Sequence, residues 1–129
     1  MTELVEPTDV EEHNAMWLQA WSDKDVERLL GFYAPDVVYR DQQVPGGLRG
    51  HEALGPYLHQ LFAATPPMTF EPDEVWATDV GWCGRWVCRL ELPDGTVSWL
   101  RGFDLVVLDG SRIALNEVYT HTLDHDPRG

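Results

Sequence analysis

Apolar residues recur at helical spacing through the first half of the chain and alternate with polar ones through most of the second. Ala15, Trp17, Leu18 and Trp21 mark one side of a helix that starts near Asp9, where Thr8 and Glu11 have the form of a capping box. Ser22-Asp23 interrupts that run. Asp23 is placed to cap a second helix carrying Val26, Leu29, Leu30 and Tyr33, which Pro35 closes. Val37–Arg40 reads as a short strand rich in β-formers, and residues 42–49 as a loop around Pro45, Gly46 and Gly47. A third helix is predicted over His51–Ala63. Pro56 is tolerated near its first turn, and Thr65-Pro66-Pro67 ends it.

Beyond Pro67 four strands are predicted: Met68–Thr78, Trp82–Leu92, Thr96–Leu108 and Ser111–Leu123. Pro93-Asp94-Gly95 and Asp109-Gly110 supply the turn chemistry between them. Helices followed by a meander predict an α+β domain, with the helices on one face of a curved, mainly antiparallel sheet. Such a sheet closing over helices leaves a cone-shaped cavity. Residues 1–129 are expected to form one domain, with loose ends at about 1–7 and 124–129.

Composition narrows the partners. Six Trp, four Tyr and four Phe in 129 residues are enough for a thick core, an aromatic pocket, or both. The net charge of −13 repels a phosphate backbone and an anionic bilayer surface, so neither nucleic acid nor membrane is an expected partner. Cys83 and Cys88 are five apart on one predicted strand, so they point to opposite faces and cannot bridge. They read as free thiols in a reducing compartment. With an acidic N-terminus and no long apolar run, the expected location is cytoplasmic.

Two aspartates stand in apolar or aromatic surroundings, where a carboxylate is costly to bury. Asp41 follows Tyr39 by two, so both fall on one strand face, and a Gly-rich loop comes after. It either lines a pocket, where aromatic surroundings favour its protonated form, or caps amides at the loop start. Asp104 lies in the run Phe103–Leu108, on the face shared by Gly102, Val106 and Leu108. It is either a pocket acid or a salt-bridge partner of Arg85, Arg89 or Arg112. On the last strand Asn116, Val118 and Thr120 alternate with Glu117, Tyr119 and His121. No metal site is expected: His51 and His59 are eight apart, and His121, Asp124, His125 and Asp126 sit in a polar tail. Gly46-Gly47 lacks the context of a phosphate loop, and no cofactor is implied.

Several segments together resemble the nuclear transport factor 2-like superfamily, and within it the SnoaL-like cyclase and ketosteroid isomerase group. They are Trp21-Ser22-Asp23-Lys24-Asp25-Val26-Glu27, Phe32-Tyr33-Ala34-Pro35-Asp36, Asp41 with Gly50, Arg101-Gly102-Phe103-Asp104, and Asp109-Gly110 with Arg112-Ile113. The resemblance implies a cofactor-independent isomerase or cyclase acting on a small hydrophobic carbonyl compound. Asp41 would be the base and Asp104 a protonated donor to the substrate oxygen. It implies Trp17 where ketosteroid isomerases carry an oxyanion-binding tyrosine, Tyr33 at a supporting tyrosine, and Tyr39, Asn116, Val118 and Thr120 at pocket positions. It also implies a homodimer through the outer sheet face. Epoxide hydrolases of this fold place an arginine two residues before the second aspartate, where this chain has Gly102, with Arg101 one position off. A non-catalytic ligand-binding or dimerisation module is the alternative reading.

Overall fold

The structure, a computed structural model, describes residues 7–127. Helix α1 spans Pro7–Ser22, α2 Val26–Phe32 and α3 His51–Ala64. The strands are β1 (Tyr33–Arg40), β2 (Leu48–Arg49), β3 (Met68–Thr78), β4 (Gly81–Glu91), β5 (Val97–Asp109) and β6 (Arg112–Leu123). They form one sheet in the order β2-β1-β6-β5-β4-β3. β1 runs parallel to β6, and every other pairing is antiparallel. The three helices pack on one face of this sheet. Val10, Leu18, Leu29, Leu54, Leu58, Trp82, Val106 and Ile113 form the core between the layers.

The predicted elements are present, with local differences at their ends, and the loop expected over 42–49 closes in the short strand β2, which pairs with β1. α1 begins at Pro7, two residues earlier than the capping-box reading, with a proline at the first position, where its missing N–H costs nothing. The cap of α2 is Asp25, not Asp23. Asp25 is extended (φ −93°, ψ 92°), and its carboxylate accepts from the Arg28 N–H at 3.1 Å. Asp23 still belongs to the end of α1, its N–H bonding the Gln19 carbonyl at 2.9 Å, and Lys24 makes the reversal at φ 54°. Replacing Asp25 with Ala removes this cap, and the expected loss is about 1 kcal/mol in urea unfolding.

Tyr33 opens β1 instead of closing α2. Pro35 lies inside that strand, within a register shift between Tyr33 and Val38. Proline cannot donate to a ladder, and an irregular stretch accommodates it. Cys83 and Cys88 are both free, Cys88 in the core and Cys83 half-buried. No described helix is long and apolar enough to cross a membrane.

Candidate active site

A cavity of about 260 Å³ lies between the helices and the inner sheet face. Alternation along the strands decides which side chains reach it. Gly102 pairs with Trp86 across β4 and β5, and Asp104 pairs with Gly84 on one side and Val118 on the other. Leu100, Asp104, Val118 and Thr120 therefore face the cavity from the sheet. α1 contributes Trp17, Leu18 and Trp21, and α3 contributes Tyr57 and Leu61.

Asp104 forms the inner end. It is 2% exposed, and none of the described ion pairs includes it, so the salt bridge to Arg85, Arg89 or Arg112 is not made. Arg85 instead bonds Asp73 at 2.8 Å, and Arg89 bonds Glu91 at 2.6 Å. Two neutral donors hold Asp104: Trp86 Nε1 on Oδ1 at 3.0 Å and Asn116 Nδ2 on Oδ2 at 3.2 Å. Burial pushes its carboxyl up to about 7, against the opposing pull of those two hydrogen bonds.

Behind Asp104 the donors form a chain. Trp17 Nε1 donates to the Tyr33 hydroxyl at 3.3 Å, and that hydroxyl donates to Asn116 Oδ1 at 2.8 Å. Tyr33 and Asn116 are fully buried and stand behind the cavity wall, not on it. Trp17 lines the cavity with its ring, while its single N–H is used by Tyr33. The Tyr33 hydroxyl is raised above the usual phenol range, first by burial and then by the Asp104 charge, so it remains a donor.

Asp41 sits just past the end of β1, half-buried, where it lines the cavity and also caps the turn that follows. Its Oδ1 caps the turn, accepting from the Gln43 N–H at 2.8 Å and the Val44 N–H at 3.1 Å. Its Oδ2 accepts from the Tyr39 hydroxyl at 2.8 Å and the Tyr57 hydroxyl at 2.5 Å. Four donors match the roughly four lone-pair sites of a carboxylate. Both phenols are raised, mainly by burial, and so keep their protons. Thr120, Gln42 and Gln43 complete the open side, with Thr120 Oγ1 bonding Gln42 Oε1 at 3.3 Å.

Of the eight expected site residues, Asp41, Asp104, Trp17, Tyr39, Val118 and Thr120 meet at this cavity. Trp86 and Tyr57 did not stand out in the sequence. Trp86 carried one faint signal, a glycine opposite it. A Cβ on Gly102 would lie 2.0 Å from the Trp86 ring, so the indole lies directly over that backbone. The indole fills the space where an arginine at 102 would project. No arginine lines the cavity among the described residues, so an arginine facing both aspartates is not present.

The fold is that of the nuclear transport factor 2-like class. Residues 15–116 match the model of the SnoaL-like domain, and the chain belongs to that family. Among solved structures, TerC, co-crystallised with polyporic acid, is 16% identical, with 84% of this chain and 88% of that one covered and a TM-score of 0.72. A hypothetical protein with a ketosteroid isomerase-like fold from Catenulispora acidiphila, in complex with trimethylamine, is also 16% identical, with 84% of each chain covered and a TM-score of 0.74. SalBIII, an epoxide hydrolase/cyclase-like enzyme of pyran ring formation in salinomycin, is 15% identical, with 92% of this chain and 95% of that one covered and a TM-score of 0.73. No curated protein matches the sequence.

Proposed function

We propose that this protein is a cofactor-independent acid–base catalyst of the isomerase or cyclase type, acting on a small hydrophobic carbonyl compound. The observation that carries this reading is Asp104, a buried carboxyl on the wall of an apolar cavity, held by neutral donors and poised near neutrality. A group that titrates near the working pH is best able both to take and to return a proton. In its ionised form Asp104 removes a proton from the carbon beside the carbonyl. The resulting O–H then donates to the oxygen that has gained charge, before the proton is returned to another atom.

The resemblance assigns the base to Asp41. Its oxygens are already occupied by four donors, and accepting a proton there requires one of them to leave. We therefore place the proton transfer at Asp104 and keep Asp41 as the carboxylate that fixes the turn amides and the two phenols at the opening. Hydrogen–deuterium exchange into a bicyclic β,γ-unsaturated ketone, followed by NMR, separates the two assignments. Asp104→Asn is expected to slow exchange by about 10²- to 10⁴-fold, and Asp41→Asn by much less. The reverse ranking would return the base to Asp41.

The second reading is a ligand-binding module. It draws support from Trp17, whose N–H is spent on Tyr33, and from the occupied oxygens of Asp41. Absence of exchange in the wild-type protein over a panel of such ketones favours that reading. Trp76, Phe103 and Tyr119 are exposed, and pairing of two chains through the outer sheet face would cover them.

A further inference from the structure

The cavity wall is aromatic, and among the described residues that line it the acid–base side chains are carboxylates and phenols. Tyr57, Tyr39, Trp21, Phe70 and Trp86 form an unbroken series of rings along it, with successive centroids 5.8, 6.4, 5.9 and 4.9 Å apart. Asp41 is hydrogen-bonded to the first two rings and Asp104 to the last. No lysine, arginine or histidine lines the cavity among the described residues. Arg40, next in sequence to Asp41, is paired with Glu117 at 2.8 Å.

We propose that the ligand of this cavity carries an alkylated ammonium group, seated at the opening against Tyr39, Tyr57 and Trp21 beside Asp41, on an apolar body that reaches Asp104. The proposal rests on the cavity being the ligand site, as in the reading above, and adds the charge of the ligand.

Three physical arguments lead to it. Aromatic faces attract cations, more strongly once water is excluded. Four donors converge on the Asp41 carboxylate and none of the described ion pairs includes it, so an anionic ligand is disfavoured at the opening and a cation is drawn in. Its lone pairs, however, are filled by two amides and two phenols. A primary ammonium therefore finds no free acceptor there for its N–H groups. An alkylated ammonium needs none and interacts through charge alone. The volume of about 260 Å³ lies near the small end of ligand sites, so the body has one or two rings. A positive charge on the substrate would also offset the charge that develops on its oxygen, which the cavity wall does not supply.

Three probes on one scaffold test this by calorimetry at about 0.15 M salt, where distant surface charge is screened. They are tyramine, its N,N,N-trimethyl derivative, and the neutral carbon isostere 4-(3,3-dimethylbutyl)phenol. The trimethyl cation is expected to bind at least about tenfold more tightly than the isostere, and more tightly than tyramine. Asp41→Asn is expected to bring the cation-to-isostere ratio below about threefold. An asparagine retains an oxygen for the turn amides and presents an NH2 group to the two phenol oxygens, so the loop geometry is preserved. Equal or tighter binding of the isostere overturns the ammonium proposal and leaves the cavity as a ligand site. Tighter binding of tyramine overturns the alkylation. An undiminished ratio in Asp41→Asn overturns the part given to Asp41. Failure of all three probes to bind overturns the proposal together with the cavity as a site for ligands of this size. The wild-type ratio is a test by itself if the variant does not fold.

Discussion

Gly102→Ala will destabilise the protein by about 3 kcal/mol or more and will detach Trp86 from Asp104. The added methyl would stand 2.0 to 2.4 Å from three atoms of the Trp86 ring, far inside contact distance. The ring has little freedom to retreat. Trp86 is 5% exposed, packs edge-on against Phe70 at 4.9 Å, and is held through Nε1 by Asp104. Overpacking a core in this way usually costs about 1–3 kcal/mol, and loss of a hydrogen bond to a buried carboxylate adds to it. Urea unfolding gives the loss in stability, and the indole Nε1–H resonance of Trp86 reports whether the bond to Asp104 survives. A variant as stable as wild type, with that resonance unmoved, would show that the indole does not lie over Gly102.

Asp104 makes stability depend on pH in the opposite direction to an ordinary ion-paired aspartate. Its folded-state value of about 7 lies above that of the unfolded chain, near 3.8. Between these limits the folded protein keeps a proton that the unfolded chain has released. Rising pH therefore favours unfolding. The contribution is fully present below about pH 4, declines as pH rises toward 7, and is absent above it. A displacement of that size corresponds to roughly 4 kcal/mol.

The reference is Asp104→Asn, which cannot titrate but keeps the shape. Unfolding free energies of the two proteins, measured from pH 4.5 to 8, should diverge in favour of the asparagine variant as pH rises to about 7 and level off above it. Subtraction removes the titration of the other carboxylates. A difference that does not change with pH would mean that Asp104 titrates as an ordinary carboxylate in the fold, and the proton-transfer role given to it would fail.

Much of the architecture was legible along the chain because helix and strand periods are local properties. The four long strands fall within about a residue of their expected limits, and α3 ends one residue later than read. The errors occurred at junctions. At the α1–α2 turn Asp23 is the cap expected from the sequence, but the left-handed Lys24 carries the chain on so that Asp25 caps α2. At Pro35 a helix stop was also a strand residue, because the parallel neighbour β6 tolerates a break in register there.

The candidate site was legible only in part. Asp41 and Asp104 stood out because carboxylates in apolar sequence call for an explanation, and alternation correctly placed Asp41 with Tyr39. Tyr57 reaches Asp41 from α3, 16 positions away, and Trp86 reaches Asp104 from the neighbouring strand, 18 positions away. Neither pairing has a local signal. Tyr33 and Asn116, 83 positions apart, were expected on the cavity wall; they meet behind it.

The sequence by itself determined the order of elements, the faces of the long strands, the absence of a Cys83–Cys88 bridge, and the position of two carboxylates in apolar sequence. Tertiary structure decided what surrounds each carboxylate. Asp41 is surrounded by four donors, while Asp104 is buried with two neutral donors and has no cation among the described ion pairs. The same side chain thus acquires two different environments, because solvation and hydrogen-bond partners are set by residues distant in sequence and close only in the fold.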